Sequence, residues 1–207
     1  MIDAIKEVVV GGKLKKVEGA VNDALDAGAT AQEVLDSMMG AMDEVGAKFQ
    51  RNEIYVPEML VAAKTMQRGV GVLKPLLGGD SGAKYGKYII GTVAGDLHDI
   101  GKNLVAMMIE AAGFDVIDLG IDVPAEKFVE AVKENPDCHV VGVSALLTTT
   151  MEAMRVTVKA LIDAGLKEQV KIMVGGAPIT QAFADEIGAD AYTTDAASAA
   201  LKAKELA

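Results

Sequence analysis

The sequence predicts an α/β protein in two parts, an N-terminal four-helix bundle followed by a C-terminal parallel five-stranded sheet. Through about residue 77, apolar residues recur every three or four positions, which places them on one face of a helix. Beyond residue 84, short β-rich runs alternate with helix-length segments, a pattern typical of parallel sheets that helices cover on both faces. Residues 78–83 are small and polar without periodicity, so we interpret them as a linker between domains at 1–84 and 85–207.

The helices of the first half carry their own signals. Thr30-Ala-Gln-Glu33 has the spacing of a capping box, in which each terminal side chain binds the free backbone N–H of the other residue. Pro57 suits the first turn of a later helix, since its missing N–H would be unpaired there anyway. Four helices with short turns predict a small antiparallel bundle. Its buried faces are predicted at Leu14, Val17, Val21, Leu25, Val34, Leu35, Met38, Met39, Met42, Val45, Met59, Leu60, Ala63, Met66, Val70 and Leu73.

The second half alternates strands and helices. Five strands and five helices in about 120 residues fit a Rossmann-like or flavodoxin-like domain, which binds ligands beyond the carboxyl ends of its strands. The strands are predicted at 88–93, 114–119, 139–143, 171–174 and 191–193, and the helices at about 102–112, 125–134, 150–164, 179–187 and 196–206.

Composition excludes several classes of protein. The formal net charge is −10 and no basic run is present, which argues against a nucleic-acid partner. Cys138 is the only cysteine, so an internal disulfide framework and a cysteine-rich metal site are excluded. No N-terminal stretch resembles a signal peptide and no apolar run reaches membrane-spanning length, so we expect a cytoplasmic protein with no membrane partner.

The two histidines differ in their surroundings. His98 lies in the loop after the first predicted strand, two residues after Asp96. A carboxylate that accepts a hydrogen bond from one imidazole nitrogen fixes the tautomer and makes the other nitrogen a better metal donor. One protein nitrogen cannot hold a free divalent cation, but it can supply an axial ligand to a metal in a macrocycle. The alternative is a solvated loop histidine. His139, beside Cys138, has no third ligand nearby, which favours packing or hydrogen bonding.

Further loop residues are expected at the same edge of the sheet. Gly101 would let the backbone turn sharply or come close to a ligand, or it is an ordinary turn glycine. Ser144 and Leu146 could line a channel for a long flat group, or belong to an ordinary loop. Gly175-Gly176 permits close backbone approach, although a tight turn explains most such pairs.

Together these residues resemble the fingerprint of a known ligand-binding domain. Asp96-x-His98-x-x-Gly101, Ser144-x-Leu146 and Gly175-Gly176, in this order and spacing, resemble the base-off/His-on cobalamin-binding domain. With a helical domain directly before it, the chain resembles the corrinoid proteins of methyltransferase systems over essentially its whole length. That family includes the cobalamin module of methionine synthase and the corrinoid subunits for methanol, methylamines and methoxylated aromatics, the last in O-demethylation.

The resemblance implies a role for each matching position. His98 would be the lower axial ligand of cobalt and would displace the cofactor's own dimethylbenzimidazole. Asp96 would hydrogen-bond His98 in a proton-linked relay whose third member, usually a serine, is Thr150 here. The implied cofactor-binding residues of the second half are Gly95, Asp96, His98, Asp99, Ile100, Gly101, Ser144, Leu146, Thr148, Gly175, Gly176, Ala177 and Tyr192.

Part of this set would bind the nucleotide tail of cobalamin. By similarity, Ser144, Leu146 and Thr148 would line a slot for the tail, and Gly175-Gly176 would pack against it. Residues 192–196 at the end of the last strand would close the slot.

The helical half is similar to the cap domain of the same family. Four of its apolar residues would cover the upper face of the corrin and exclude water and oxidants. The alternative is that all four belong to the bundle core. They are Phe49, Val56, Met59 and Leu60. Because methyl donor and acceptor must both reach that face, residues 78–83 would act as a hinge.

The resemblance implies a methyl carrier that is not catalytic alone. Its cobalt would alternate between Co(I) and methyl-Co(III), taking the methyl group from a substrate-specific methyltransferase. A second methyltransferase would pass the group to tetrahydrofolate or coenzyme M, and a reductive activating protein would rescue Co(II). The methyl donor stays open among methanol, methylamines and methoxylated aromatics.

Three alternatives compete with the carrier. The corrinoid subunit of an adenosylcobalamin mutase shares the motif, but it does not carry a four-helix cap. A cobalamin-dependent transcriptional sensor would need a DNA-binding segment with a basic face. A phosphoacceptor receiver with Asp96 as the modified residue suits the fold, but it leaves Ser144-x-Leu146 and Gly175-Gly176 unexplained.

Overall fold

The computed structural model describes residues 2–77 and 83–207. The chain separates into two compact units, one of Met1–Lys84 with Glu110–Gly113 and the other of Tyr85–Ile109 with Phe114–Ala207. The predicted linker and hinge at 78–83 lies outside the described residues, except for Ala83.

The first unit contains the predicted bundle of four helices. They are α1 (Ile2–Val10), α2 (Val17–Asp26), α3 (Ala31–Gln50) and α4 (Val56–Leu73), and a short 3₁₀ turn (Lys74–Leu76) follows α4. Helix α3 packs against α1 and α4, and α2 packs against α4. The buried faces are lined by aliphatic and methionine side chains, which include Ile5, Val9, Val17, Val21, Val34, Met38, Val45, Met59, Met66 and Leu73.

Both predicted helix starts are confirmed. The Thr30 hydroxyl accepts a hydrogen bond from the Glu33 N–H at 3.2 Å, and the Glu33 carboxylate accepts one from the Thr30 N–H at 2.8 Å. This reciprocal pair satisfies two donors that have no partner within the helix. Pro57 lies in the first turn of α4, where no backbone N–H is needed.

The second unit contains a five-stranded parallel sheet in the order β2-β1-β3-β4-β5. This is the flavodoxin-like order, and it confirms the predicted α/β class. The strands are β1 (Lys87–Thr92), β2 (Asp115–Asp118), β3 (Cys138–Ser144), β4 (Lys171–Gly175) and β5 (Ala191–Tyr192). The helices are α5 (Ile100–Ala111), α6 (Ala125–Glu134), α7 (Met151–Asp163), α8 (Gln181–Ile187) and α9 (Ala196–Leu206).

The two faces of the sheet carry different side chains, because successive residues of a strand point to opposite faces. One face packs large aliphatic residues of β1, β3 and β4 against α6, α7 and α8. On the other face the carboxyl ends of β3 and β4 carry small residues, namely Gly142, Ser144 and Gly175. Helix α9, which packs against β3, buries only alanines: Ala196, Ala197, Ala199, Ala200 and Ala203.

The strand order reverses between β1 and β3. Strand β2 lies on one side of β1, whereas β3, β4 and β5 follow on its other side. The loops after β1 and β3 therefore leave the sheet at neighbouring points of the same edge, which is where doubly wound sheets bind ligands. These loops contain Asp96, His98 and Thr150.

Candidate functional site

Asp96 is the centre of a hydrogen-bond network at this edge. Its side chain is fully buried, just after β1. Oδ2 accepts hydrogen bonds from the Leu146 N–H and from the Thr150 hydroxyl, each at 2.7 Å. Oδ1 lies 2.7 Å from Nδ1 of His98 and accepts the His98 backbone N–H at 3.1 Å. The loops after β1 and β3 are thus joined through one carboxylate.

These hydrogen bonds determine the charge of Asp96. Burial alone would raise the pKa of its carboxyl, but the donors from Leu146, Thr150 and His98 outweigh burial and hold the pKa of Asp96 well below its usual value. Asp96 is therefore ionised and can only accept hydrogen bonds. It follows that Nδ1 of His98 carries the hydrogen and that, in the neutral ring, Nε2 carries the lone pair.

His98 presents that lone pair outward. Its side chain is 48% exposed, and Nε2 makes no hydrogen bond with any residue that the structure describes. Its backbone is fixed as well, since the His98 carbonyl accepts a hydrogen bond from the buried Thr92 hydroxyl at 2.9 Å. His98 is therefore a pre-positioned nitrogen donor with one accessible coordination site.

Thr150 takes the third place in the predicted relay. It ends the 3₁₀ turn Thr148–Thr150 that leads into α7, and it is buried. Its hydroxyl also lies 3.0 Å from the Leu147 carbonyl. A hydroxyl has only one hydrogen to donate. It goes to Asp96, because the ionised carboxylate is the closer of the two and the stronger acceptor. The threonine thus donates to Asp96 at the position where a serine was expected.

Two residues with left-handed backbone conformation, one in the loop after β1 and one in the loop after β2, position Asp96. Gly95 has φ +80° and Asp122 has φ +52°, a region that glycine adopts freely and that aspartate tolerates. The Gly95 N–H donates to the Asp122 carboxylate at 2.7 Å, and the Asp122 N–H donates to the Asp96 carbonyl at 3.0 Å. The loop after β2 thereby holds Asp96 in place.

A buried lysine fixes the first turn of α5. Lys102 is 3% exposed, and its Nζ donates to the Asp118 carboxylate at 2.5 Å and to the Asn103 amide oxygen at 2.7 Å. Because Asp118 ends β2, this ion pair ties the start of α5, and with it Ile100 and Gly101, to the sheet edge.

Large apolar side chains surround this polar network and face solvent. Leu97 and Ile100 are 68% and 85% exposed, respectively. Ile121, Leu146 and Leu147, from the loops after β2 and β3, are each about two-fifths exposed. Exposed apolar surface of this kind marks a binding site for an apolar ligand or partner.

The three glycines of the site differ in what an added Cβ atom would meet. Gly176 has φ +133°, and a Cβ there would overlap the Ala145 carbonyl, so the fold itself requires glycine. At Gly175 a Cβ would meet only the Thr193 carbonyl at 3.9 Å, and at Gly101 it would meet nothing. The expectation that Gly101 allows a sharp turn is wrong, because it lies inside α5 without a positive φ. Open space at Gly101 and Gly175 is available to a ligand.

The remaining predicted residues fall into two groups. Ser144 is half-buried at the end of β3, while Asp99, Thr148 and Ala177 are exposed in loops at this edge. Tyr192 is not brought together with them, since its side chain packs against the core under α6, α7 and α8, on the opposite face from Gly175.

The four predicted cap residues lie in the first unit. Met59 is fully buried among the bundle helices, as the bundle-core interpretation expects. Phe49 and Leu60 are half-buried, and Val56 is 39% exposed.

Sequence reasoning missed four residues that shape the site: Thr92, Lys102, Asp122 and Leu147. The local signals for them are weak. A polar residue at the end of an apolar strand, as at Thr92, and an aspartate two residues after a glycine, as at Asp122, are each common in loops. The roles of Lys102 and Asp122 depend on hydrogen bonds to residues distant in sequence, and that of Thr92 on a hydrogen bond across the turn of its own loop.

The donor set narrows the type of metal that could bind. Among residues 2–77 and 83–207, no group of three or more histidine, cysteine or acidic side chains could hold a metal ion. His98 thus offers one nitrogen beside exposed apolar side chains, which fits a metal whose other ligands come from a flat macrocycle.

Comparison with known proteins decides the family. Residues 86–202 match a family model described as B12 binding domain, and residues 1–74 match a second model with the same description. This chain belongs to the B12-binding corrinoid proteins. Its cofactor is a corrinoid, cobalamin or a relative of it, and the site described above fits that group.

The corrinoid proteins most similar in sequence include several named for methylamines. Dimethylamine corrinoid protein 2 from Methanosarcina acetivorans is 42% identical, and the match covers 100% of this chain and 95% of the relative. The trimethylamine corrinoid protein from Methanosarcina barkeri is 43% identical over 99% of this chain and 95% of the relative.

Solved structures of corrinoid proteins agree with the fold. A cobalamin-binding protein from Desulfitobacterium hafniense has a TM-score of 0.83 at 32% identity, covering 100% of this chain and 98% of the other. The methanol:cobalamin methyltransferase complex MtaBC from Methanosarcina barkeri gives 0.85 at 28% identity, covering 99% of this chain and 78% of the other. In the part of this corrinoid protein that the structure describes, no helix is long and apolar enough to cross a membrane.

Proposed function

We propose that this corrinoid protein is a methyl carrier that binds its cofactor base-off, with His98 as the lower ligand of cobalt. It takes the methyl group from a methyltransferase specific for a methylated amine. The observation that carries the proposal is the outward Nε2 of His98, whose opposite nitrogen is fixed by the buried Asp96. When bound, the corrinoid supplies a cobalt ion that accepts a methyl group from one partner and gives it up to another.

The base-off state follows from the number of available positions. If His98 held the cobalt, it would take the place of the cofactor's own base, and that base would lie elsewhere. We assign the tail to the face of the sheet where Ser144 ends β3 and Gly175 ends β4. Support comes from Gly175, where no protein atom lies close enough to require glycine. Leu146 and Thr148, exposed in the adjacent loop, would flank the entrance.

Asp96 and Thr150 are assigned to positioning His98 and to compensating its charge. Asp96 holds the Nδ1 hydrogen and remains ionised, so the neutral ring directs its lone pair through Nε2. If Nε2 takes up a proton, it no longer bonds to a metal, and the imidazolium is stabilised by the adjacent carboxylate. Uptake of one proton at Nε2 would therefore release a metal held there, with Asp96 compensating the charge of the ring.

The choice of a methylated amine rests on the relatives. Dimethylamine and trimethylamine corrinoid proteins match nearly the whole chain at 42% and 43% identity, whereas the methanol complex matches at 28%. That complex also supports a direct association with a substrate methyltransferase. A second methyltransferase that uses tetrahydrofolate or coenzyme M, a reductive activating protein, a cytoplasmic location and the cap role of Phe49, Val56, Met59 and Leu60 are carried over from the resemblance as predictions.

A labelled-methyl experiment tests the carrier function. The protein is loaded with cobalamin, reduced, and incubated with carbon-14-methyl dimethylamine and a dimethylamine methyltransferase. We expect label to accumulate on the protein-bound cofactor in a ratio approaching one, and to be lost under light, which cleaves methyl–cobalt bonds. A cofactor that stays unlabelled with dimethylamine, trimethylamine and monomethylamine, each tested with its own methyltransferase, would contradict the amine assignment.

A further inference from the structure

Thr92 is a buried polar residue at the end of an apolar strand. It is the last residue of β1, follows Ile89, Ile90 and Gly91, and is fully buried. A buried hydroxyl costs free energy unless it is hydrogen-bonded, and valine has nearly the same shape without that cost. A threonine at such a position therefore points to a use for its hydrogen bond.

The Thr92 hydroxyl joins the two ends of the loop after β1. It donates to the carbonyl of His98, six residues later, at 2.9 Å. The backbone of Thr92 is itself held by its neighbours, since its N–H donates to the Gly120 carbonyl and its carbonyl accepts the Val123 N–H. The hydroxyl thus connects His98 to a fixed part of the sheet edge.

The contacts from Asp96 alone leave one motion of His98 open. Both the backbone N–H and the ring Nδ1 of His98 are hydrogen-bonded to the same atom, Oδ1 of Asp96. Contacts that converge on one atom allow the residue to pivot about that atom with little change in either distance. The Thr92 hydroxyl contacts the other end of the His98 backbone, at its carbonyl, and comes from β1. This third contact blocks the pivot.

We propose that Thr92 is a positioning residue that sets the strength of the bond between His98 and cobalt. The inference rests on the proposed function, because it assumes that His98 is the lower ligand. A pivot of His98 would displace its outward Nε2, whereas a metal ligand must be held within roughly 0.5 Å of its working position. Thr92 is fully buried, so it acts through His98 and not by contact with the cofactor.

The test compares Thr92→Val, which loses the donor, with Thr92→Ser, which keeps it. Each protein carries nitrogen-15 in its histidines and is titrated with unlabelled cobalamin. In Thr92→Val we expect roughly 10- to 100-fold weaker binding. We also expect part of the Co(II) electron paramagnetic resonance signal to lose the doublet splitting of an axial histidine. Thr92→Ser should keep both the affinity and the full splitting.

A second measurement needs no cofactor. The His98 backbone N–H is hydrogen-bonded to Asp96, and without Thr92 only the Asp96 contacts would hold the His98 backbone in the loop. Amide hydrogen exchange at His98 should therefore be roughly five- to tenfold faster in Thr92→Val, the effect of one lost hydrogen bond on a local opening equilibrium. Thr92→Ser should exchange as the wild type does.

Thr157→Val is the matched control. Thr157 is 1% exposed, and its hydroxyl donates to the Ala153 carbonyl within α7 at 2.9 Å. Valine there removes an equally buried hydroxyl at a distance from His98 along the chain. The control should leave the Co(II) spectrum and the exchange at His98 unchanged. If Thr157→Val alters both as Thr92→Val does, the effect is a general loosening of the fold and the proposal is overturned.

The outcomes separate this inference from the proposed function. A wild type without the doublet splitting overturns the proposed function. Full splitting in the wild type that persists in Thr92→Val overturns only the assignment of Thr92. Thr92→Ala also lacks the hydroxyl and adds no atoms, so it decides if Thr92→Val does not fold by circular dichroism. Full splitting in the alanine variant contradicts the proposal.

Discussion

Oδ1 of Asp96 lies 2.7 Å from the ring Nδ1 of His98 and accepts the His98 backbone N–H at 3.1 Å. One carboxylate oxygen therefore fixes both the imidazole and the backbone that carries it. A carboxylate that accepts the backbone N–H two residues later closes an Asx turn, so the chain turns between Asp96 and His98. The spacing of Asp96 and His98 thus has a direct geometric cause.

Replacing Asp96 by asparagine should weaken cofactor binding. The amide keeps the size of the side chain but loses the charge, and its NH₂ group would face donors that now have no acceptor. Loss of such a supporting partner typically costs roughly 10- to 100-fold in metal affinity. Corrinoid titration measures this effect. Asp163→Asn, at an exposed carboxylate that accepts from Lys159 at the far end of α7, is the control and should bind as the wild type does.

The stability contributed by Asp96 should depend on pH. Its pKa is lower in the folded state than in the unfolded chain, so the contribution is complete above about pH 5 and is lost as pH falls below about 4. Urea unfolding followed by circular dichroism at several pH values measures it. The gap in unfolding free energy between wild type and Asp96→Asn should shrink on acidification, and a gap that grows instead would refute the assignment.

Two variants of Thr150 separate the role of its hydroxyl from that of its methyl group. Thr150→Val keeps the shape but leaves the buried Asp96 short of one donor, which should cost about 1–3 kcal/mol of unfolding free energy. Thr150→Ser keeps the donor and removes one methyl group, with an expected cost of about 0.8 kcal/mol or less. If the valine variant is as stable as the serine variant, the hydroxyl is not a significant donor to Asp96.

Substitution by alanine should have opposite effects at Gly175 and Gly176. Gly176→Ala combines φ +133° with overlap on the Ala145 carbonyl, so it should lower the unfolding free energy by roughly 1–3 kcal/mol or more. Gly175→Ala meets open space and should leave the cofactor-free protein nearly as stable as the wild type. Its added methyl group should instead reduce corrinoid affinity. Unfolding curves and titrations of both variants check the pair, and unaltered corrinoid binding in Gly175→Ala would mean that the tail does not pass that residue.

Periodicity was sufficient to predict the elements of the fold, because helix and strand spacings are local properties. The errors are at the ends: the strand expected at 114–119 is Asp115–Asp118, and that expected at 191–193 is Ala191–Tyr192. Both are edge strands, which pair on one side only, and each pairs along only part of its neighbour.

The sequence predicts those residues of the candidate site that lie close together in the chain or that match the motif of the family. Asp96 and His98 are two residues apart, and Thr150 joins them at the position that the resemblance indicates. Thr92 and Asp122 were not predictable, because no periodic pattern marks their hydrogen bonds: Thr92 donates to the His98 carbonyl six residues later, and Asp122 accepts from Gly95 in the loop after β1. The side on which Tyr192 packs depends on the register between β4 and β5, which no local pattern reports.

The most direct test of the central claim is the electron paramagnetic resonance spectrum of the Co(II) form. The protein is labelled with nitrogen-15 in its histidines and loaded with unlabelled cobalamin. We predict that the superhyperfine lines from the axial nitrogen change from triplets to doublets, and that the same holds in His139→Ala but not in His98→Ala. Triplets that persist in the labelled wild type would show that the cofactor's own base remains on cobalt, and would contradict the account.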